Sequence, residues 1–136
     1  MAVAQMHLEV VSAEAHVLSA DISELYARSV EGEFGILPGH QPLVVALDIA
    51  PVRVRMVDGT EQRIAVHRGT LFVDQDGKVI LLADIAELEA DIDVARARRR
   101  KAQLEQGLQE SGDEVLRASL LKQSVRLQVA GGVEGH

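Results

Sequence analysis

Between Glu31 and Leu43 the chain reads E-G-E-F-G-I-L-P-G-H-Q-P-L, and no other stretch restricts the fold so tightly. Gly32, Gly35, Gly39, Pro38 and Pro42 crowd around the apolar residues Phe34, Ile36 and Leu37. Glycine allows positive φ and close backbone approach, whereas proline fixes φ near −65° and removes a donor. A segment this punctuated and this apolar predicts a rigid, sharply turned connection. It carries one histidine, His40, and two glutamates, with no nucleophile beside a base. By composition it is a strand-to-strand corner inside a β-domain.

The flanking residues agree with that frame. Met6 to Val11 alternates and then turns apolar, and Ala15–Leu18 and Ile22–Ser29 read as further short strands. After the corner, Leu43–Leu47 is an apolar run, and Val52, Val54 and Met56 alternate with Arg53, Arg55 and Val57. Asp58-Gly59 predicts a hairpin turn returning as Gln62–His67, and Gly69–Val73 follows. Asp76-Gly77 turns the chain into Val79–Ala83. Short strands at this spacing predict an all-β sandwich or barrel over residues 1–86.

Near Glu87 the pattern changes. Glycine is absent until Gly107 and proline does not return. Leu88, Ile92, Ala95, Arg99 and Ala102 fit a helical stripe, with Glu87, Glu89, Asp91 and Asp93 ahead of the bases, the order a helix dipole favours. Gly107 and Gly112 bracket a break in which Ser111 or Asp113 would cap a second helix. Leu116, Leu120, Gln123 and Leu127 form its stripe, and Gly131-Gly132 ends it. The expected chain is therefore α+β: a β-sandwich over residues 1–86, then a helical hairpin over 87–136.

Composition excludes several classes. With no cysteine among 136 residues there is no disulfide framework and no thiolate metal site. A net charge of −7 argues against general nucleic-acid binding. No apolar run approaches the ~20 residues needed to span a bilayer, and the first residues lack the basic start of a secretory signal, which predicts a soluble intracellular chain. The five histidines are scattered without metal-ligand spacing. The charge is uneven: residues 1–86 carry 12 acids and 6 bases, residues 87–136 carry 9 and 8.

The stretch G-E-F-G-I-L-P-G-H-Q-P-L resembles the signature of the epsilon subunit of bacterial and chloroplast F-type ATP synthases. The likeness extends to the strand pair around His67-Arg68-Gly69-Thr70-Leu71-Phe72-Val73 and to the hairpin, although relatives often carry two glycines near Arg68-Gly69. It implies a non-catalytic subunit with a sandwich of about ten short strands and a C-terminal helix–turn–helix. That subunit joins gamma in the central stalk and rests on the ring of c subunits, peripheral to the cytoplasmic face of a bacterial plasma membrane. By the same resemblance Gly32, Phe34, Gly35, Ile36, Leu37, Pro38, Gly39, His40 and Pro42 lie at the subunit contact, with Phe34 and Ile36 either meeting the partner or packing in the core.

Ile92-Asp93-Val94-Ala95-Arg96-Ala97 is similar to the I/L-D-x-x-R-A motif by which some epsilon subunits bind ATP. Asp93 and Arg96 are helical neighbours, Ala97 is small enough to let a ligand approach, and a guanidinium fork suits phosphate. The resemblance adds Glu87 for the base and Lys122 and Arg126 as a basic face over the phosphates. Relatives that bind ATP firmly tend to have arginine at both of the last two places, and Lys122 lacks the bidentate fork. By spacing alone the motif reads first as an ordinary salt-bridged helix, and it is the resemblance that turns the reading toward nucleotide binding. No Walker-type loop is present, so any ATP here would be sensed and not consumed: no cofactor is expected, and ATP enters only as a regulatory ligand implied by the resemblance. Arg98, Arg99, Arg100 and Lys101 read as a nucleic-acid patch, as a solvated helix face or, by the resemblance, as a contact with an acidic loop of the catalytic beta subunits, next to alpha. The rival readings are a free-standing nucleotide-sensing protein on a β-scaffold and an enzyme that turns over ATP.

Overall fold

The computed structural model describes residues 5–111 and 114–131. Six strands form one sheet: β1 (Met6–Ser12), β2 (His16–Ser29), β3 (Gly32–Ile36), β4 (Leu43–Met56), β5 (Glu61–Val73) and β6 (Lys78–Leu88). Their order is β1-β6-β5-β4-β2-β3, and a further antiparallel pairing of β1 with β2 closes the sheet on itself. β1 with β6 is the only parallel pair among the described strands. The result is the β-sandwich expected from the strand pattern, followed by a helical hairpin of α1 (Val94–Ser111) and α2 (Glu114–Gly131).

The strands are fewer and longer than the sequence pattern suggests. The segments read separately at 15–18 and 22–29 are one strand, as are those at 43–47 and 52–57 and those at 62–67 and 69–73. The reason is a reset of the in–out alternation. In β5, Ile64 and Val66 enter the core, and so do Leu71 and Val73, a change of parity across Arg68. Arg68 has φ 65°, the left-handed turn of backbone that produces the reset. β4 resets between Leu47 and Val52, and β6 between Ala83 and Ala86. These places are in register, Leu47 with Gly69 with Ala83 and Ile49 with His67 with Ile85, so one line of corners crosses three strands. At Gly69 an added Cβ would stand 2.3 Å from the Leu82 carbonyl oxygen, so a side chain is excluded where the backbones converge.

The core is aliphatic, as the shortage of aromatic residues requires: Leu8, Ile22, Leu25, Ile36, Ile64, Leu71 and Leu81 have no exposed surface. A second, smaller cluster lies on the outer face, where Ile49 of β4 and Ala65 of β5 meet Ile92, Val125 and Val129. Ala118, Val125 and Val129 are spaced by seven and four residues, which puts them on one side of α2 facing the sheet. Residues Ile64 to His67 are consequently all buried, the even ones by the core and the odd ones by α2.

The hairpin begins later than its composition indicates. Leu88 and Glu87 continue the β6 ladder opposite Ile64 and Ala65, so pairing overrides helix-like composition. Glu89–Asp91 make one 3₁₀ turn, and the first turn of α1 holds no acid. Ala95, Arg99 and Ala102 are exposed, whereas Ala97 and Leu104 are buried, so the inward stripe of α1 is displaced from the one read in the sequence. Gly107 lies within α1 and ends no helix, and a Cβ on it would stand 3.4 Å from Leu116 Cδ1. Of the two residues expected to cap the second helix, Ser111 ends α1, and Asp113 lies with Gly112 outside the described residues, as does the tail from residue 132.

Candidate functional site: the seat of the helical hairpin

Glu87 and Arg126 are 39 residues apart and meet directly, the Arg126 Nε–H donating to Glu87 Oε1. β6 presents Glu87 on the outer face, and α2 lays Arg126 over it. Beneath them His67, from the neighbouring strand, places Nε2 3.6 Å from the same carboxylate oxygen. That is too long for a hydrogen bond, and neither nitrogen of this buried ring has a hydrogen-bond partner among the described residues. His67 beside it and Arg126 bonded to it hold the Glu87 carboxyl below the usual carboxylate range, against the burial that pushes it up. The carboxylate is therefore charged at neutral pH and ties the hairpin to the sandwich.

Ile92 is a plug under α2, packed on Ile49, Ala65, Val125 and Val129. Asp93 is the N-cap of α1: its Oδ1 accepts the Arg96 backbone N–H at 3.0 Å, and its carbonyl accepts that of Ala97. The expected side-chain pairing of Asp93 with the Arg96 guanidinium is not formed, because the carboxylate is occupied by the helix end. Arg96 is exposed, Ala97 is 2% exposed, and Lys122 is half-buried one turn from Arg126. Neither Arg96 nor Lys122 has an ion-pair partner among the described residues. Of the motif residues, then, the structure joins Glu87 to Arg126 and sets Ile92 below α2, and it leaves Asp93 and Arg96 at the outer start of α1. Arg98, Arg99 and Arg100 are exposed and Lys101 is half-buried, all without a carboxylate partner among the described residues.

The glycine-rich stretch forms β3 and the turn after it. Tyr26 explains Gly35: a Cβ there would stand 2.8 Å from the Tyr26 ring. The ring is held from the far side by Arg53, 4.8 Å from its centroid, and its hydroxyl donates to Glu24. Ile36 lies wholly in the core and Phe34 packs against that core, so of these apolar residues Leu37, at 50%, is the exposed one. His40 closes the turn, its backbone N–H donating to the Leu37 carbonyl at 3.1 Å and its ring Nδ1 to that of Gln41 at 2.7 Å. Gly39 supplies the positive φ between them, and Pro38 and Pro42 flank the turn.

Sequence reasoning passed over two features. One is His67, read as one of five scattered histidines. The alternation of Ile64-Ala65-Val66-His67 places it on the face of Ala65, but nothing local reveals that α2 covers that face. The other is the grip of Arg63 on Glu89, which crosses 26 residues.

A closed β-sandwich carrying a folded-back helical hairpin is the architecture that the described residues define. Residues 5–89 match the family described as ATP synthase, Delta/Epsilon chain, beta-sandwich domain. The chain is 39% identical to the ATP synthase epsilon chain of Streptomyces coelicolor, covering 95% of this chain and 98% of that one. It is 39% identical to the epsilon chain of Halalkalibacterium halodurans, covering 93% and 97%. A chain of the Euglena gracilis mitochondrial ATP synthase, seen in its OSCP/F1/c-ring structure, superposes with a TM-score of 0.72 at 21% identity, over 96% of this chain and 80% of that one. The chain belongs to the ATP synthase delta/epsilon family, as an epsilon chain. The resemblance drawn from the glycine-rich stretch is thereby borne out, together with the non-catalytic character it implies.

Proposed function

We propose that the chain is the epsilon subunit of a bacterial ATP synthase central stalk, helping to couple proton flow to ATP synthesis and restraining ATP hydrolysis through a movable hairpin. Its partners are gamma, the c-ring and, through the hairpin, alpha and beta, on the cytoplasmic face of the plasma membrane. Two surfaces support docking on neighbours. Leu37 projects from the turn after β3. On β4, β5 and β6 the outer face exposes Val44, Phe72 and Leu82, with Val44 and Phe72 directly opposite each other.

The observation that carries the regulatory reading is how the hairpin is held. Its seat on the sandwich is a small cluster, Ile49, Ala65, Ile92, Val125 and Val129, locked by one carboxylate–guanidinium contact. Such a seat is separable without unfolding the sandwich, whose core lies on the other side of the sheet. Released, the hairpin would carry Arg98, Arg99, Arg100 and Lys101 toward the acidic loop of beta and block hydrolysis. Retained, it leaves rotation free in both directions. ATP held by Asp93, Arg96, Lys122 and Arg126, with Ala97 and Ile92 behind and Glu87 toward the base, would favour the retained state. A ligand at 100 times its Kd adds about 2.7 kcal/mol to the state it binds, enough to make low ATP an inhibitory signal.

Two measurements test this. Calorimetric titration of the chain with ATP is expected to saturate and to weaken in Arg96→Ala and in Asp93→Asn, which keeps the helix cap while removing the charge. Removing residues 93–136 from the assembled enzyme is expected to raise ATP hydrolysis. Unchanged hydrolysis would sink the inhibitory role, and no saturable binding at millimolar ATP would sink the sensing role.

A further inference from the structure

Among the described residues neither ring nitrogen of His67 has a hydrogen-bond partner, although the residue is 1% exposed. Buried polar atoms in folded proteins are nearly always satisfied, so an orphaned imidazole calls for a cause. The geometry around it is specific. Glu87 Oε1 accepts from Arg126 Nε, and the same oxygen lies 3.6 Å from His67 Nε2. One oxygen therefore stands between two donors, bonded to the first and about 0.7 Å short of an ordinary bond to the second.

We propose that His67 is a positioning residue for the hairpin site: it is the second seat of the Glu87 carboxylate, occupied when a phosphate group takes Arg126. This rests on the reading that Arg126 meets the phosphates of ATP. Arg126 has Glu87 as its carboxylate partner, so an arriving phosphate competes with Glu87 for the guanidinium, and the bound ATP, with Glu87 of the sandwich at its base and Arg126 of the hairpin at its phosphates, takes over the tie it displaces. Even with the base as partner on one oxygen, the Oε1 that gave up Arg126 would be left without a donor in this half-buried place, which opposes the exchange. His67, in the tautomer that carries its proton on Nε2, supplies that donor through a shift of less than an ångström. The ring is fixed by burial on the rigid strand β5, so the alternative seat exists before the ligand arrives. His67 touches no ligand in this scheme and acts through Glu87 alone.

The test is long-range proton–nitrogen NMR of the ¹⁵N-labelled full chain, read at His67 Nε2. The resonance is expected to move to a hydrogen-bonded position on saturation with ATP. It is expected to move the same way without nucleotide in Arg126→Met, which frees Glu87 while keeping the side chain's bulk. His67→Phe is expected to weaken ATP binding on the order of tenfold, the scale of one bond to a charged group, and His67→Gln to regain part of it. If Nε2 stays put in Arg126→Met, or His67→Phe binds ATP as tightly as the parent chain, the second seat does not exist. If Nε2 moves in Arg126→Met but the parent chain binds no ATP, the second seat stands and the ATP reading falls.

Discussion

Arg63 grips Glu89 with both arms of its guanidinium, Nε at 3.1 Å and Nη2 at 2.7 Å. The grip fastens β5 to the 3₁₀ turn through which the chain leaves the sandwich, so it fixes where α1 departs. Both side chains are partly covered, at 29% and 35% exposure, and the paired geometry is the strong form of such a contact. A double-mutant cycle on Arg63→Met and Glu89→Gln, read by urea denaturation, is expected to give a coupling of about 1 kcal/mol. A coupling of zero would mean that the turn is held by Ile92 alone.

The corner at residues 68 and 69 makes two opposite predictions. Gly69→Ala forces a Cβ onto the Leu82 carbonyl with nowhere to retreat and is expected to cost about 3 kcal/mol. Arg68→Gly should do the reverse. A side chain in left-handed backbone costs about 1–2 kcal/mol and glycine's extra chain entropy about 0.5–1, so the exchange is expected to stabilise by up to about 1.5 kcal/mol. Paired thermal melts decide both signs.

That corner also explains what was legible in the sequence. Period-two alternation is a local signal, and it correctly marked β1, the halves of β2, β4 and β5, and the hairpin turns at Gly59 and Gly77. Where Arg68 reset the parity, alternation broke and one strand looked like two. Glu87 and Leu88 were misread because their strand character comes from pairing with Ala65 and Ile64, a contact invisible in a window of neighbours. The order of residues in the glycine-rich stretch carried the family, and composition alone did not. The site was only half legible for the same reason: Asp93 stands where its motif says and its bond to the Arg96 N–H is a local cap, but the meeting of Glu87 with Arg126 across 39 residues is a product of tertiary packing.

The outer surface of β1 and β2 carries a separate charge cluster with its own signature. His7 Nδ1 bonds Asp21 at 2.9 Å and its Nε2 bonds Glu9 at 2.7 Å, while Glu9 also accepts from Ser19 and His16. Asp21 first and Glu9 second raise the His7 pKa. His7, Ser19 and His16 hold Glu9 down to about 2. A raised imidazole stabilises the fold fully below its unfolded value, near 6.5, and loses that contribution as pH rises through the folded value. NMR titration is expected to show His7 titrating above the ordinary histidine range and falling back in Asp21→Asn. The Glu9 carboxyl is expected to stay ionised until about pH 2, and its return to the ordinary range in the parent chain would contradict the cluster.

Hairpin docking itself should depend on acid. Glu87 has a depressed pKa, so its contribution is whole above the ordinary glutamate value of 4.5 and is lost as pH falls through the folded value. Protonation removes the negative charge facing Arg126, which holds only 21% of its side chain in solvent, and leaves that guanidinium without a counter-charge. The chain has no cysteine, so a dye pair can be placed through Asp76→Cys and Arg117→Cys, both exposed, one on the sandwich and one on α2. Energy transfer is expected to be high at neutral pH and to fall in acid below 4.5, before the sandwich unfolds, because the core of Leu8, Ile22 and Leu71 contains no titrating group. In Glu87→Gln the acid step should vanish, and docking should be weaker at pH 7 by about 2 kcal/mol, the loss of one bond between charged partners. An acid step that survives in Glu87→Gln would assign the latch to another carboxylate, and Glu89 on Arg63 would be the one to replace next.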